Sequence, residues 1–306
     1  MTYKILDVSE WQPSIDYATV AKNVDGVILR CGVTLWGKQN PAKDNCFEKH
    51  YTGFKSAGVP VGAYYYSAAD SVAVAKREAD FCLSLLEGKQ FELPIYYDVE
   101  CEDRMAKVSR ETLTEICVTF CETLENAGYF VGVYANTNYY TNKLVYSELV
   151  NRYTLWLADY RGDKADQTLK RDIWQYTSTG KVDGISGNVD LNECYRDFEK
   201  EIKSAGLNGY TKAKQKTVDE LAREVLAGVW GNGADRKKRL TAAGHDYDAV
   251  QKKVNEILNA SKKKSIDEIA REVIAGKWGN GKERTQKLTV AGYDAKKVQA
   301  RVNELL

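Results

Sequence analysis

Histidine is nearly absent. Only His50 and His245 occur in 306 residues, and they fall in different parts of the chain. A zinc hydrolase needs several converging His or Cys ligands, and no His-Glu-x-x-His pattern is present, so metal-assisted hydrolysis has no donor set to start from. Cys46 and His50 stand one turn apart on a predicted helix, a spacing that suits an ordinary amphipathic helix better than a nucleophile–base pair. The seven cysteines form an odd set without a Cys-x-x-Cys pair, which reads as reduced thiols packed as small hydrophobes. No Gly-rich phosphate loop occurs. No apolar run approaches the roughly 18 residues of a membrane helix, so no membrane insertion is expected. The first residues, Met-Thr-Tyr-Lys-Ile-Leu-Asp-Val-Ser, begin directly as a strand without a basic-then-apolar export signal, and export by a standard signal peptide is not expected. Carboxylates are the chemistry that remains.

Residues 95–100 read Ile-Tyr-Tyr-Asp-Val-Glu, an apolar, β-prone run ending in two acids. Side chains alternate faces along a strand, so Asp98 and Glu100 emerge on the same side, roughly 6–7 Å apart along the backbone. Two acids presented together suit glycosidic-bond cleavage, in which one group donates a proton and another stabilises positive charge. A bare Asp-x-Glu is weak evidence by itself, and its surroundings have to carry the rest.

Strand patterns at Tyr3–Val8, Gly26–Cys31, Val61–Tyr66, Pro94–Val99 and Tyr129–Tyr134 alternate with helical patterns at Phe47–Ala57, Val72–Leu86 and Arg110–Asn126. In the last of these, Leu113, Ile116, Cys117, Phe120, Cys121 and Leu124 recur at helix spacing. This rhythm argues for an α/β fold with parallel pairing. Thr154–Ala158, Asp172–Tyr176 and Asn188–Leu191 read as strands without long helices between them, which predicts a modified barrel whose final third is irregular. Barrel chemistry sits at the carboxyl ends of strands, where Asp7, Asp98, Glu100 and Asp190 all fall. Capping or turn duty is the competing reading for Asp7 and Asp190. Convergence of the four would raise the proton affinity of at least one through like-charge repulsion.

Residues 1–210 carry a net charge of −7 and residues 211–306 one of +8, a split that suggests two modules with separate jobs. The basic part is an internal repeat spaced by about 48 residues, with copies at 217–258 and 265–306 in which more than half of the positions are identical. Each copy opens with a capping box, Thr217 with Glu220 and Ser265 with Glu268. Three short helices follow in each, ending near Gly228, Gly244 and Leu258 in the first, a module close to the lower size limit for independent folding. Residues 259–264 and 207–216 read as linkers. Trp230 and Trp278 sit in Trp-Gly-Asn-Gly segments. They are either stacking platforms for sugar or peptide, with Arg223 and Arg271 as donors, or core residues beneath a glycine turn. A duplicated small module serves avidity more often than catalysis.

Six motifs now occur in a fixed order: Asp7-Val-Ser-Glu-Trp-Gln12, Gly62-Ala-Tyr-Tyr-Tyr66, Asp98-Val-Glu100, Trp156-Leu-Ala-Asp-Tyr160, Trp174-Gln-Tyr176 and Gly184-Ile-Ser-Gly-Asn-Val-Asp190. Together they resemble glycoside hydrolase family 25, the lysozymes (N-acetylmuramidases) of phages and bacteria, over most of residues 1–200. The tail resembles the cell-wall-binding repeats of some phage lysozymes, and the whole resembles a modular phage endolysin. The resemblance implies an eight-stranded barrel with fewer helices over residues 1–206, followed by two small three-helix repeats. It implies cleavage of the β-1,4 bond between N-acetylmuramic acid and N-acetylglucosamine in peptidoglycan, with Glu100 as general acid and Asp98 as the second functional carboxylate. Asp7 and Asp190 would shape the field, and Tyr64, Tyr66, Trp156 and Tyr176 would line the sugar groove. Water could attack directly with inversion, or the substrate's N-acetyl carbonyl could attack first with Asp98 orienting the amide. Neither route needs a metal or other cofactor.

The resemblance also implies a protein made in a bacterial cytoplasm and released to the wall through a membrane pore formed by a holin, with peptidoglycan as partner of both modules. A bacterial autolysin with the same activity is the alternative, and a wall-binding protein with an inactive barrel is another. The basic tail could also attract nucleic acid, but the anionic cell wall offers similar attraction, and no nucleic-acid partner is expected.

Overall fold

The computed structural model describes residues 2–34, 40–105, 107–162, 165–211, 216–262 and 264–306. The chain forms two compact units, Met1–Ala213 and Lys214–Leu306.

The first unit is built on strands β1 (Tyr3–Val8), β2 (Gly26–Thr34), β3 (Pro41–Lys43), β4 (Val61–Tyr66), β5 (Ile95–Asp98), β6 (Val131–Asn136), β7 (Thr154–Ala158), β8 (Ile173–Gly180) and β9 (Val189–Cys194). Its helices are α1 (Tyr17–Val20), α2 (Phe47–Ser56), α3 (Val72–Leu86), α4 (Glu102–Met105), α5 (Arg110–Asn126), α6 (Tyr146–Leu149) and α7 (Phe198–Ala205). The strand order is β1-β9-β8-β7-β6-β5-β4-β2-β3, and pairing of β1 with β2 closes eight strands into a barrel with β3 outside it. Neighbours within the barrel run parallel except around β9, which is antiparallel to β1 and β8, and the outer strand β3 is antiparallel to β2. The expected barrel with a less regular last third is therefore present; β3 is the one strand the sequence pattern does not announce.

Strand alternation divides the side chains between two environments. On β5, Ile95 and Tyr97 pack outward in the main core, where Tyr97 stacks on Phe120 of α5 at 4.0 Å. Tyr96 belongs to a separate cluster with Ile5, Ile28, Trp156 and Ile173, which fills the barrel below its mouth. Gly132 makes room for this filling, since a Cβ there would come within 2.5 Å of the Tyr96 ring. The opposite end of the barrel is closed by Asn208, which accepts from Phe130 N at 2.6 Å and donates to Leu93 O at 3.0 Å. Asn208 holds a positive φ of 54°, a conformation that Asn tolerates better than most residues. Leu207–Tyr210 therefore belong to the barrel and not to a linker. Of the rest of the expected 207–216 linker, residues 212–215 lie outside the described residues.

The second unit contains α8 (Val218–Leu226), α9 (Gly233–Ala242), α10 (Tyr247–Lys262), α11 (Ile266–Ile274), α12 (Gly281–Val290) and α13 (Ala295–Leu305). Both capping boxes form as the sequence predicts. The two cores are copies of one another: Leu221, Ala222, Val225, Leu240, Val250 and Val254 in one, Ile269, Ala270, Val273, Leu288, Val298 and Val302 in the other. Helix α10 runs on to Lys262, into the stretch expected to be a linker; residue 263 lies outside the described residues. Among the described residues no helix is long and apolar enough to cross a membrane.

Candidate active site

Strand register brings the acids together. Asp7 on β1 is the direct cross-strand partner of Asp190 on β9, which places their side chains about 5 Å apart at Cβ. Asp98 on β5 is paired with Tyr66 on β4 and Tyr134 on β6. Glu100 follows two residues later, just beyond the end of β5, within reach of the Tyr134 hydroxyl at 3.5 Å. Asp7 and Asp98 are each 4 % exposed, whereas Glu100 and Asp190 are half-buried.

Burial and mutual repulsion hold protons in this cluster. Asp7 is pushed well above the usual carboxylate range, first by burial and then by the charge of Asp190. Asp98 is pushed well above it by burial, then by Glu100 and Asp7. Glu100 is raised by burial and by Asp190, and Asp190 by burial. Each carboxyl therefore binds its proton more tightly than it would in water, and the four titrate as a set.

The orientation of Asp7 is fixed by two amides that sequence reasoning missed. Gln175 Nε2 and Asn192 Nδ2 donate to Asp7 Oδ2 at 3.1 and 2.8 Å. Their carbonyl ends are fixed in turn. Tyr134 and Tyr160 hydroxyls donate to Gln175 Oε1 at 2.8 and 2.6 Å, and Trp156 Nε1 donates to Asn192 Oδ1 at 2.7 Å. Each amide can therefore present only its NH₂ group to Asp7. Asp98 contrasts with this. Its Oδ1 is buried and has no hydrogen-bond partner among the described residues, an exception to the rule that buried polar atoms are paired.

The expected groove residues separate. Tyr64 and Tyr66, both half-buried, lie on the interior face of β4. Burial and the charges of Asp7 and Asp98 raise the Tyr64 hydroxyl, and burial and Asp98 raise that of Tyr66. Trp156 does not line a groove. It is 1 % exposed and wedged edge-on against Tyr64, Tyr96 and Tyr134, a support beneath the acids. Nor does Tyr176: it lies beside Trp174, with ring centroids 5.8 Å apart, and packs against the outer core. Strand alternation does not set its direction, because the β8–β9 register shifts between Gln175 and Thr177. Asn192 is legible from alternation on β9, since it stands two residues past Asp190. Tyr134 and Tyr160 carry no comparable local signal.

In the repeats, Trp230 and Trp278 are half-buried against their cores, and their indole N–H groups donate to Glu224 and Glu272 at 2.9 and 3.0 Å. Arg223 and Arg271 are exposed and pair with Asp219 and Asp267. A second arginine in each repeat is more firmly held. Arg236 donates to Gly231 O, Gln251 and Asn232, and Arg284 makes the same three bonds to Gly279 O, Gln299 and Asn280. Among the described residues no three His, Cys, Asp or Glu side chains are placed to hold a metal ion.

Known proteins are similar to this chain in sequence and fold. Residues 6–185 match Glycosyl hydrolases family 25, and residues 219–258 and 267–306 match the CW_7 repeat. The chain is 33 % identical over 207 residues to a lysozyme of Streptococcus phage Cp-7, covering 65 % of this chain and 56 % of that protein. It is 28 % identical over 193 residues to an autolytic lysozyme of Clostridium acetobutylicum, covering 62 % of this chain and 55 % of that protein. It thus spans a little over half the length of these two relatives. Among solved structures, the modular autolysin LytC of Streptococcus pneumoniae, in complex with a synthetic peptidoglycan ligand, superposes with a TM-score of 0.55 at 27 % identity, covering 63 % of this chain and 47 % of that one. The CTP1L endolysin does so with a TM-score of 0.56 at 26 % identity, covering 73 % and 78 %. Barrel, acid cluster and repeats thus lead to one assignment: the chain belongs to glycosyl hydrolases family 25.

Proposed function

We propose that the barrel hydrolyses the β-1,4 bond between N-acetylmuramic acid and N-acetylglucosamine in peptidoglycan, with Glu100 as general acid. The carrying observation is the partition of the four carboxyls: Asp7 and Asp98 are buried, while the half-exposed Glu100 is raised in proton affinity and can reach a bound sugar. In the free enzyme Asp98 competes for the proton, because burial and Glu100 raise its affinity as well. Substrate resolves the competition. An acetamido N–H donated to the unpartnered Asp98 Oδ1 favours the anion there, and that anion in turn raises the proton affinity of Glu100.

The same contact supports the substrate-assisted route. Asp98 aligns the amide so that its carbonyl oxygen bonds to C1 as the bond from C1 to the leaving oxygen breaks, and Glu100 gives its proton to that oxygen. Glu100 then takes a proton from the water that opens the cyclic intermediate. Asp7 and Asp190 hold the negative field at the mouth, and Tyr64 and Tyr66 line the groove. Trp156 acts from beneath, through Asn192.

The likeness to the phage lysozyme and the CW_7 match support a modular endolysin, with barrel residues 1–206 and wall-binding repeats at 217–258 and 265–306. In this reading the repeats hold the enzyme on muropeptide, with exposed Arg223 and Arg271 as donors to wall carboxylates and the half-buried Trp230 and Trp278 as stacking residues. Release from the cytoplasm through a membrane pore belongs to the same reading. The test is digestion of purified peptidoglycan with mass analysis of the sugar ends and NMR of the first anomer formed. New reducing muramic acid ends with retained configuration are expected. Reducing glucosamine ends or freed peptides would assign a different hydrolase, and inversion would exclude the amide-assisted route.

A further inference from the structure

The loop after β1 carries a side chain that the acid cluster does not use. Trp11 is 78 % exposed, although tryptophan normally buries most of its surface. The backbone beneath it is firmly held. Gln12 N donates to Ser9 O at 3.1 Å, Ser9 N to Gln12 Oε1 at 3.1 Å, and Trp11 N to Ser9 Oγ at 3.3 Å. Glu10 N donates to Asp44 Oδ2 at 3.0 Å. Gln12 Nε2 reaches Asn188 O at 3.5 Å, two residues before Asp190. The adjoining Glu10 carboxylate is also fixed, by Arg30 Nη2 at 2.8 Å and Asn45 Nδ2 at 2.5 Å, and stays 31 % exposed. A carboxylate offers about four acceptor positions, so Glu10 retains capacity on both oxygens.

We propose that Trp11 and Glu10 form a further glycan subsite, which binds a sugar ring of the same strand away from the bond being cleaved. A pyranose presents an apolar face of C–H groups and an edge of hydroxyls. An indole on a firmly held backbone beside a fixed carboxylate complements both, and a held backbone lowers the ordering cost of binding. Four residue-to-residue steps lead from Asp7 to Trp11 and span at most ~14 Å, which places the platform within a few sugar units of the acids. The subsite rests on the glycan-hydrolase reading above and adds a preference for long strands to it.

The test compares kcat/KM of the full chain on peptide-free glycan strands with that on the disaccharide of N-acetylmuramic acid and N-acetylglucosamine, which fills only the two positions flanking the cleaved bond. Wild-type protein prefers the strands. Trp11→Ala lowers the strand-to-disaccharide ratio about tenfold, and Trp11→Phe restores most of it. An unchanged ratio in Trp11→Ala, with wild-type cleavage intact, overturns the subsite alone. Absence of new reducing ends from the wild-type protein overturns the hydrolase reading and the subsite together.

Discussion

The barrel mouth and the repeats handle carboxylates in opposite ways. At the mouth, Asp7, Asp98, Glu100 and Asp190 are crowded out of water, and each is raised in proton affinity, burial first. In the repeats, the half-buried Asp219, Glu224, Asp267 and Glu272 are lowered, each first by a hydrogen bond from Arg or Lys. One region stores protons at the expense of its own stability. The other favours the ionised form, and carries its core in two copies. Chemistry and display thus make different electrostatic demands, and one chain meets them in separate units.

The comparison breaks most visibly at Glu100. Glu100→Gln should lower hydrolysis by about 10³-fold while leaving wall retention intact, read by turbidity clearance of cell walls beside a sedimentation assay. Near-normal clearance would remove Glu100 as the acid and leave the mouth without its defining role.

Asp98→Asn sharpens the comparison, because it should impair activity and improve stability together. Activity should fall about 10²-fold through loss of the orienting anion. Folded-state Asp98 binds its proton more tightly than the unfolded chain does, so the folded barrel loses stability as pH rises from about 4 through the raised folded value. The variant carries no such penalty. Its advantage should be negligible near pH 4 and reach about 1–2 kcal/mol at neutral pH, seen as a rise in Tm that grows with pH. A Tm below wild type at pH 7 would show that the buried acid is not a stability cost.

The next effect concerns the repeats alone. A chain ending at residue 262 keeps one complete repeat core and the whole barrel. It should hydrolyse soluble glycan as the full chain does but bind walls about 10²-fold less tightly, because two linked weak sites act by effective concentration. Retention equal to that of the full chain would remove avidity as the reason for duplication.

Much of this contrast was legible in the residues, and the exceptions share a cause. The alternation of Ile-Tyr-Tyr-Asp and the helix spacing of Leu113 to Leu124 are local patterns, and both elements lie where those patterns place them. The capping boxes are equally local. The convergence of Asp7 with Asp190 depends instead on β9 returning antiparallel beside β1, a pairing between residues far apart in the chain. Trp156 and Tyr176 show the limit for single side chains. Motif order suggested a groove for both, but only closure of the barrel seals Trp156 inside, and Tyr176 sits where the β8–β9 register shifts, which no local pattern announces. The orphaned Asp98 oxygen is likewise a property of packing.

The smallest effect tests the repeats' surface. Arg223 and Arg271 have side chains 72 % exposed, and each faces an aspartate four residues earlier. Exposed pairs of this kind exchange one hydrated contact for another and are screened by salt. Arg223→Ala with Arg271→Ala should therefore leave Tm unchanged. If these side chains trade their aspartates for wall carboxylates, the double variant should bind peptidoglycan stripped of teichoic acid a few-fold more weakly at low salt, with the deficit fading as salt rises. Arg236 and Arg284 supply the control, because each is tied by three bonds within its own repeat and their loss should register in Tm. Equal retention of Arg223→Ala/Arg271→Ala and wild type at low salt would take the exposed pair out of recognition. Wall contact would then fall to the face that carries the half-buried tryptophans.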